Sequence, residues 1–208
     1  MIAIIDYRAG NLTSVRLALD ALHVQSRITD DPARIRDAER VVFPGVGAAG
    51  AAMANLVAGR LVEAIHDVVS RRVPFLGICL GTQIALDRSD EDGGVECLGL
   101  LPGNVRPFAP VDPWDKVPQM GWNSVTLRRE HPLFEGIESG SEFYFVHSYY
   151  PEPEDAACIL GTTRYAGVDF ASVLGAGNLV ATQFHPEKSG KTGLRLLGNF
   201  CRWDGKDS

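Results

Sequence analysis

The sequence has no cluster of basic residues, and its acidic residues outnumber the basic ones. Its 208 residues include 20 Lys and Arg against 26 Asp and Glu, which gives a formal net charge of −6 at pH 7. Nucleic acids and anionic membranes attract proteins through concentrated positive charge, so this balance argues against either as the main partner. We therefore expect no nucleic acid and no membrane among its partners.

Disulfide, metal and targeting patterns are also missing. The four cysteines, Cys79, Cys97, Cys158 and Cys201, are widely spaced, and no two of them form a C-x-x-C pair. No basic leader with a long apolar segment is recognised, so no signal peptide is expected. Residues 41–59 carry no charge, but they are rich in Ala and Gly, which favours a loop and a buried helix over a membrane span. We expect reduced thiols, no metal site and a cytoplasmic location.

Glycine-rich phosphate-binding loops are the last notable absence. Although the chain contains 22 glycines, none of them falls in the pattern G-x-x-x-x-G-K-[ST], and the G-x-G-x-x-G spacing of GVGAAG at residues 45–50 is not a convincing phosphate loop. Those spacings are what allow backbone N–H groups to surround a phosphate. No nucleotide site and no cofactor are therefore expected.

Short apolar runs alternate with helix-forming segments in the first ninety residues. Strands are predicted at residues 2–6, 40–43 and 75–78, because each is an apolar run of strand length. Helices are predicted after the expected N-cap Asn11, in the Ala-rich stretch that follows the second strand, and around residues 61–69. This β-α-β-α order predicts a mainly parallel sheet with helices on both faces.

Beyond residue 88 the pattern favours strands joined by turns. Strands are predicted near Val105 and at residues 124–127, 143–146, 159–164 and 170–173. A Gly-Ala-Gly-Asn hairpin turn follows the last of them, and a final helix is predicted from about Thr192. Since repeats, low-complexity tracts and an interdomain linker are missing, we predict one α/β domain over residues 1–208, with a mixed sheet that is more antiparallel in its second half.

The sharpest local pattern is GICLGTQ at residues 77–83, directly after an apolar strand. It fits the G-x-nucleophile-x-G elbow, a strained strand-to-helix turn, with Cys79 in the nucleophile position. Such a turn places the side chain above the carboxyl ends of the strands, and the N-terminus of the next helix favours a thiolate. An isolated cysteine is more often a small core residue. The strand–turn–helix context favours the nucleophile.

A cysteine nucleophile needs a base, and QFHPEKSG at residues 183–190 supplies one. His185 and Glu187 are two residues apart, so in an extended segment they point to the same side, and Pro186 stiffens the pair. His185 could take the thiol proton while Glu187 orients the imidazole. On its own this pair is more often a surface histidine beside a solvated glutamate. Its combination with Cys79 favours catalysis.

GICLGTQ and QFHPEKSG together resemble the motifs of the triad-type (class I) glutamine amidotransferases, which implies a flavodoxin-like mixed sheet. Four further segments, IIDYRAGNLTSV, FPGVGAAGAAM, VPQMGWN and FYFVHSYY, extend the resemblance over almost the whole chain. They are similar to one subfamily, whose members hydrolyse glutamine to glutamate and ammonia for histidine biosynthesis. The resemblance thus implies a heterodimer with a (β/α)8 cyclase subunit that consumes the ammonia.

The resemblance also implies a role for each matching residue of the reaction centre. Cys79 would be the nucleophile, His185 the base and Glu187 its orienting group. Backbone N–H groups of the PGVG segment and of the residue after the nucleophile would form the oxyanion hole: Gly45, Val46, Gly47 and Leu80. Glycines allow the peptide reorientation that such a segment requires, although a plain tight turn is the alternative for it.

Six other positions match residues that contact the substrate or the partner. Around glutamine these are Gln83, Ser148 and Tyr149. Toward the cyclase subunit they are Asn11, Trp122 and Lys188.

Three positions depart from the pattern associated with the family. Thr82 follows the elbow, so the exact shape of the glutamine pocket stays open, while Arg8 and Gln119 fall in loops expected to face a partner. Two alternatives remain: a sister glutaminase that feeds another synthase, and a non-catalytic binding module that keeps the fold. The intact triad weighs against the second.

Overall fold

The computed structural model describes residues 1–110 and 112–206, and its central feature is an eight-stranded mixed sheet. The helices are α1 (Leu12–Ala21), α2 (Pro32–Arg36), α3 (Ala49–Ala58), α4 (Val62–Ser70), α5 (Leu80–Gln83) and α6 (Gly190–Arg202). The strands are β1 (Ile2–Ile5), β2 (Ser26–Thr29), β3 (Arg40–Gly45), β4 (Phe75–Cys79), β5 (Arg88–Ser89), β6 (Val95–Glu96), β7 (Gly103–Pro107), β8 (Gln119–Ser124), β9 (Thr126–Leu127), β10 (Glu142–His147), β11 (Tyr149–Pro153), β12 (Ile159–Tyr165), β13 (Val168–Ala176) and β14 (Leu179–Thr182).

The strand order in the large sheet is β2-β1-β3-β4-β14-β13-β12-β9. The first five strands pair in parallel, and from β14 onward the pairing is antiparallel. Every residue of β1, β4 and β14 is buried, as expected of strands covered on both faces. The predicted change from a parallel first half to a more antiparallel second half is confirmed.

Two hydrophobic clusters lie on the opposite faces of this sheet. Successive strand residues alternate between them: Ile4 and Leu76 belong to the cluster under α1 and α6, whereas Ile5 and Phe75 belong to the one under α2, α3 and α4. Burying each such side chain contributes about 1.5–3 kcal/mol. The strands are therefore held from both sides, and their carboxyl ends are fixed in space.

Two smaller sheets stand beside the carboxyl edge of the large one. β8 pairs antiparallel with β10, and a four-stranded sheet has the order β11-β7-β5-β6. Only Ser148 separates β10 from β11, so it lies where the two small sheets meet. His147 fixes this corner, because its ring Nδ1 lies 2.7 Å from the carbonyl oxygen of Tyr149.

The structure differs from the sequence-based prediction at several elements, among them β2, α2, the end of β3 and the predicted strand 124–127, which is divided between β8 and β9. β2 and α2 were not predicted, because β2 is mostly only partly buried and α2 has only five residues. β3 runs two residues further than expected, through Pro44 and Gly45. Its pairing with β1 ends at Val42, so the missing N–H of Pro44 falls where β3 is paired on one side only.

The uncharged stretch of residues 41–59 forms most of β3, a turn and α3. In the part of the chain that the structure describes, no helix combines the length and the apolar character needed to cross a membrane.

Gly81 is a position where the fold demands the smallest side chain. A Cβ there would collide with the backbone carbonyl of Phe43 in β3, and a backbone atom cannot rotate away. Gly81→Ala should therefore lower the free energy of unfolding by at least ~2 kcal/mol, measured by denaturant titration. The matched control is Gly50→Ala in α3, where the nearest atom would lie 3.4 Å away. It should be neutral or stabilise by up to about 1 kcal/mol, and equal effects of the two changes would contradict the prediction.

Candidate functional site

Cys79 occupies a strained turn between β4 and α5. Its backbone has φ 54° and ψ −106°, a conformation that few non-glycine residues adopt and that a strand-to-helix elbow requires. Gly77 and Gly81 lie on either side, and a Cβ on Gly77 would approach the Gly81 backbone to 3.1 Å. The two glycines therefore allow the turn to close, and the elbow predicted from GICLGTQ is present.

His185 lies beside Cys79 because β14 is the sheet neighbour of β4. The register pairs Thr182 with Ile78, so the residues that follow both strands emerge at the same edge. Three hydrogen bonds fix the His185 backbone. Its N–H donates to the Tyr144 carbonyl at 2.9 Å, and its carbonyl accepts from the Ser189 hydroxyl at 2.6 Å and from the Lys188 N–H at 3.0 Å. The imidazole is thus presented by a rigid segment.

Glu187 faces the far side of the imidazole. His185 Nδ1 and Glu187 Oε1 are 2.7 Å apart, and neither side chain has any solvent exposure. A carboxylate accepts hydrogen bonds, so Nδ1 donates its proton to Glu187. Nε2 is then the ring nitrogen that can exchange a proton with a nucleophile. The structure therefore brings Cys79, His185 and Glu187 together in the order that a nucleophile, a base and an orienting group need.

The electrostatics of His185 follow from this arrangement. Burial lowers its pKa, but hydrogen bonds and Coulombic interactions with Cys79 and Glu187 outweigh burial and raise the pKa to about 10. The ring is therefore protonated at neutral pH. A protonated imidazole beside a nucleophile can donate its proton to a leaving group.

A cavity of about 270 Å³ opens directly above Cys79. Six of the predicted oxyanion and substrate residues line it: Val46, Gly47, Leu80, Gln83, Ser148 and Tyr149. A cavity of this size is smaller than a typical drug-binding pocket and suits a ligand such as a single amino acid.

Gly45 is the predicted oxyanion residue that does not line the cavity. It pairs with Cys79 between β3 and β4, and the Tyr7 hydroxyl lies so close to it that no Cβ could be added. Gly47 has φ 113° and open space around it. The PGVG segment is therefore the end of a strand followed by a turn, and it reaches the nucleophile from the neighbouring strand.

Gln83 is held in place under the cavity. Its Nε2 donates to the Tyr149 carbonyl at 2.9 Å and to Gln183 Oε1 at 3.1 Å. Thr82, the departure next to the elbow, is fully buried and donates its hydroxyl to the Thr182 carbonyl at 2.6 Å. Thr82 therefore joins the elbow to β14 and does not itself line the cavity.

Sequence reasoning missed Glu91, which also lines the cavity. It begins a 3-10 turn, and its Oε2 accepts a hydrogen bond of 2.6 Å from the Ala49 N–H at the start of α3. In the sequence it stands in an acidic, glycine-rich turn that is typical of a solvated loop. Only the contact with α3, which is 42 residues away, places it at the site.

Two of the predicted partner residues are exposed. Trp122 is 55% exposed, and Lys188 directly follows the triad glutamate on the surface. Further exposed apolar side chains lie in the segment around Trp122: Trp114, Val117 and Met120. Asn11 is only half-buried, but its amide turns inward and donates to Glu187.

The position of Gln119 differs from the one expected from the sequence. It was expected in a loop that faces a partner, but it is 2% exposed and lies in β8 opposite His147 of β10. Strand pairing buries its side chain. Arg8 is exposed, as expected of a loop residue.

The remaining cysteines show no sign of reactivity. All four cysteines are free, and burial raises the pKa of Cys97 to about 11 and also raises the pKa values of Cys158 and Cys201. They therefore stay thiols at neutral pH. Within residues 1–110 and 112–206, no group of three or more His, Cys, Asp or Glu side chains is placed to hold a metal ion.

Comparison with known sequences identifies close relatives. The model of the family described as glutamine amidotransferase class-I matches residues 3–202. The chain is 50% identical over 202 residues to the imidazole glycerol phosphate synthase subunit HisH of Dehalococcoides mccartyi strain CBDB1, covering 97% of each chain. It is 50% identical over 200 residues to the subunit of the same name from Methanocaldococcus jannaschii, covering 96% of this chain and 98% of that one.

Comparison with solved structures concerns the fold. A glutamine amidotransferase crystal structure superposes with a TM-score of 0.73 at 16% identity, covering 99% of this chain and 100% of the other. The structure of PurLQS from Thermotoga maritima gives a TM-score of 0.74 at 17% identity and 97% coverage of both chains. The fold predicted from the sequence is thereby confirmed.

The His185 ring should remain protonated well above neutral pH. Its pKa of about 10 should fall in Cys79→Ala, because the hydrogen bond and the Coulombic interaction with Cys79 are removed while burial remains. Histidine-ring NMR titrations of both proteins between pH 6 and 10 measure this difference. Because the folded pKa exceeds the unfolded value of about 6.5, the stabilisation is complete below pH ~6.5 and is lost as the pH rises through about 10. Titration of the wild-type ring near pH 6.5 would contradict the ion pair.

Proposed function

The chain belongs to the class-I glutamine amidotransferase family, and on that premise we propose that it is the glutaminase subunit of imidazole glycerol phosphate synthase. The observation that carries the proposal is the cluster of Cys79, His185 and Glu187, in which Cys79 lines a cavity suited to an amino acid. Identity of about half over nearly the full length of subunits named HisH supports the choice of this synthase over a sister enzyme.

The chemistry proposed for the triad is hydrolysis of the glutamine side-chain amide. The Cys79 sulfur attacks the amide carbon, the C–N bond breaks, and the His185 imidazolium gives its proton to the departing ammonia. His185 then takes a proton from water, whose oxygen attacks the γ-glutamyl thioester. Glutamate leaves, and the thiolate–imidazolium pair returns. Glu187 keeps the ring oriented through both steps.

Negative charge on the carbonyl oxygen is proposed to be stabilised by backbone donors. The Leu80 N–H stands at the N-terminus of α5 directly after the nucleophile, which is the usual origin of one donor in an elbow. The second donor would come from the segment of Gly45, Val46 and Gly47. An isolated glutaminase would waste glutamine, so we propose that this segment presents its donor only when the partner is bound with its nucleotide ligand.

Substrate binding is proposed to use the polar groups around the cavity. Ser148 and Tyr149, at the corner of the two small sheets, offer main-chain groups to the α-amino and α-carboxylate groups. Gln83 and Glu91 line the same space. The Glu91 carboxylate supplies the negative charge that an α-ammonium group requires.

The proposed partner is the (β/α)8 cyclase subunit, which would receive the ammonia. Ammonia released into bulk water would be protonated and diluted, so a docking surface must exclude water. The exposed apolar segment around Trp122 and the nearby Lys188 suit such a surface. Four free cysteines suit the reducing cytoplasm, where we place the reaction.

Replacement of the nucleophile tests the proposal directly. Cys79→Ala should abolish glutamine-dependent synthesis by the purified complex, because no thioester can form. It should leave ammonia-dependent synthesis nearly intact, since free ammonia bypasses the glutaminase. Both rates are measured in the same assay, with Cys97→Ala as the matched control that keeps both. Glutamine hydrolysis at a near wild-type rate in Cys79→Ala would overturn the assignment.

Gly47→Ala tests the role of the PGVG segment. A Cβ at Gly47 would meet nothing within 4 Å, so its effect is confined to the backbone conformation that φ 113° represents. If this segment supplies a donor to the oxyanion, kcat of the activated complex should fall by about 10²–10³-fold, with a smaller change in KM for glutamine.

The matched control for this test is Gly177→Ala. Gly177 also has a positive φ, 56°, and open space, but it lies in the hairpin turn between β13 and β14, away from the cavity. It should cost stability without changing kcat. Equal kcat values for the two variants would refute the role of the segment and leave the triad untouched.

A further inference from the structure

Asn11 occupies the N-cap position of α1, but its side chain does not cap the helix. An N-cap residue normally has an extended backbone and accepts a hydrogen bond from the first turn of its helix. Asn11 instead has φ 73° and ψ 2°, in the left-handed region, and its side chain makes no capping hydrogen bond. The helix therefore starts in a strained conformation that its first side chain does not compensate.

The side-chain amide of Asn11 is directed at the triad carboxylate instead. Its Nδ2 donates a short hydrogen bond to Glu187 Oε1, the same oxygen that faces His185 Nδ1 at 2.7 Å. Nδ2 also lies 3.4 Å from His185 Nδ1. The contact joins residues 176 positions apart in the sequence, at the fully buried side chain of Glu187.

We propose that Asn11 is a positioning residue of the triad, which acts by holding the Glu187 carboxylate in place. This inference rests on the proposed glutaminase function. An N–H donor and a carboxylate form a charge-assisted hydrogen bond, which is stronger than a bond between two neutral groups. The same bond fixes the carboxylate oxygen that orients the ring.

The residue type fits both demands of the position. Asparagine tolerates the left-handed backbone conformation better than most residues and carries an N–H donor. Glycine would meet only the first demand. Aspartate would have no donor and would place a second negative charge against Glu187.

The test compares Asn11→Gly and Asn11→Asp with wild type in the complex with the cyclase subunit. Asn11→Gly removes the amide and relieves the backbone, whereas Asn11→Asp keeps the shape and removes the donor. The matched control is His23→Gly, just beyond the other end of α1, where φ is 58°. For each protein we would measure kcat and KM for glutamine, affinity for the cyclase subunit, and thermal stability.

A positioning role predicts a specific combination of results. Hydrogen bonds to charged groups are strong enough that kcat should fall by about 10–100-fold in both Asn11 variants. KM for glutamine and affinity for the cyclase subunit should stay within about threefold of wild type. The melting temperature of Asn11→Gly should not fall, because a strained, uncapped position loses nothing by becoming glycine. His23→Gly should keep the wild-type kcat.

Three results would overturn the inference. The first is an unchanged kcat in both Asn11 variants. The second is a loss that disappears at saturating cyclase subunit, which would make Asn11 a docking residue. The third is a lower melting temperature in Asn11→Gly that accounts for the lost activity, which would make the residue structural. Failure of the proposed function is recognised separately, because the wild-type complex would then hydrolyse no glutamine.

Discussion

The site depends on the parallel pairing of β4 with both of its neighbours. β3 brings Gly45 opposite Cys79, and β14 brings Thr182 opposite Ile78, so three separate stretches of chain reach one edge of the sheet. Of the three triad residues, only His185 and Glu187 are close in the sequence. Cys79 reaches them through the pairing of β4 with β14. A shift of β14 by one residue would turn His185 to the opposite face of the sheet. The buried clusters on both faces oppose such a shift.

The charged side chains of the site are stabilised by one another rather than by solvent. His185 and Glu187 have no exposed side-chain surface, and an isolated charge there would be strongly disfavoured. His185 interacts with both Cys79 and Glu187, and the amide of Asn11 donates a hydrogen bond to the same Glu187 carboxylate. A buried set of this kind is fully effective only when every member is satisfied.

Local sequence patterns predicted the fold and the triad because both depend on short-range signals. Apolar runs marked β1, β3 and β4, and the glycines around Cys79 marked the elbow. Long-range placement was not predictable in the same way. Glu91 reaches the cavity through α3, Gln119 is buried by pairing with β10, and the amide of Asn11 reaches Glu187 only after α1 and α6 have packed on the same face of the sheet. Each of these residues is polar, so hydropathy does not predict which part of the structure its side chain contacts.

The two outer strands of the large sheet affect how readily copies of this chain aggregate. One edge is β2, four residues long with the charged Arg27 within it, and the other is β9, which has only two residues. Short edge strands, and a charged residue within one of them, leave few free backbone groups for another sheet to extend. Cross-β aggregation of newly made chains is thereby disfavoured at both ends of the sheet.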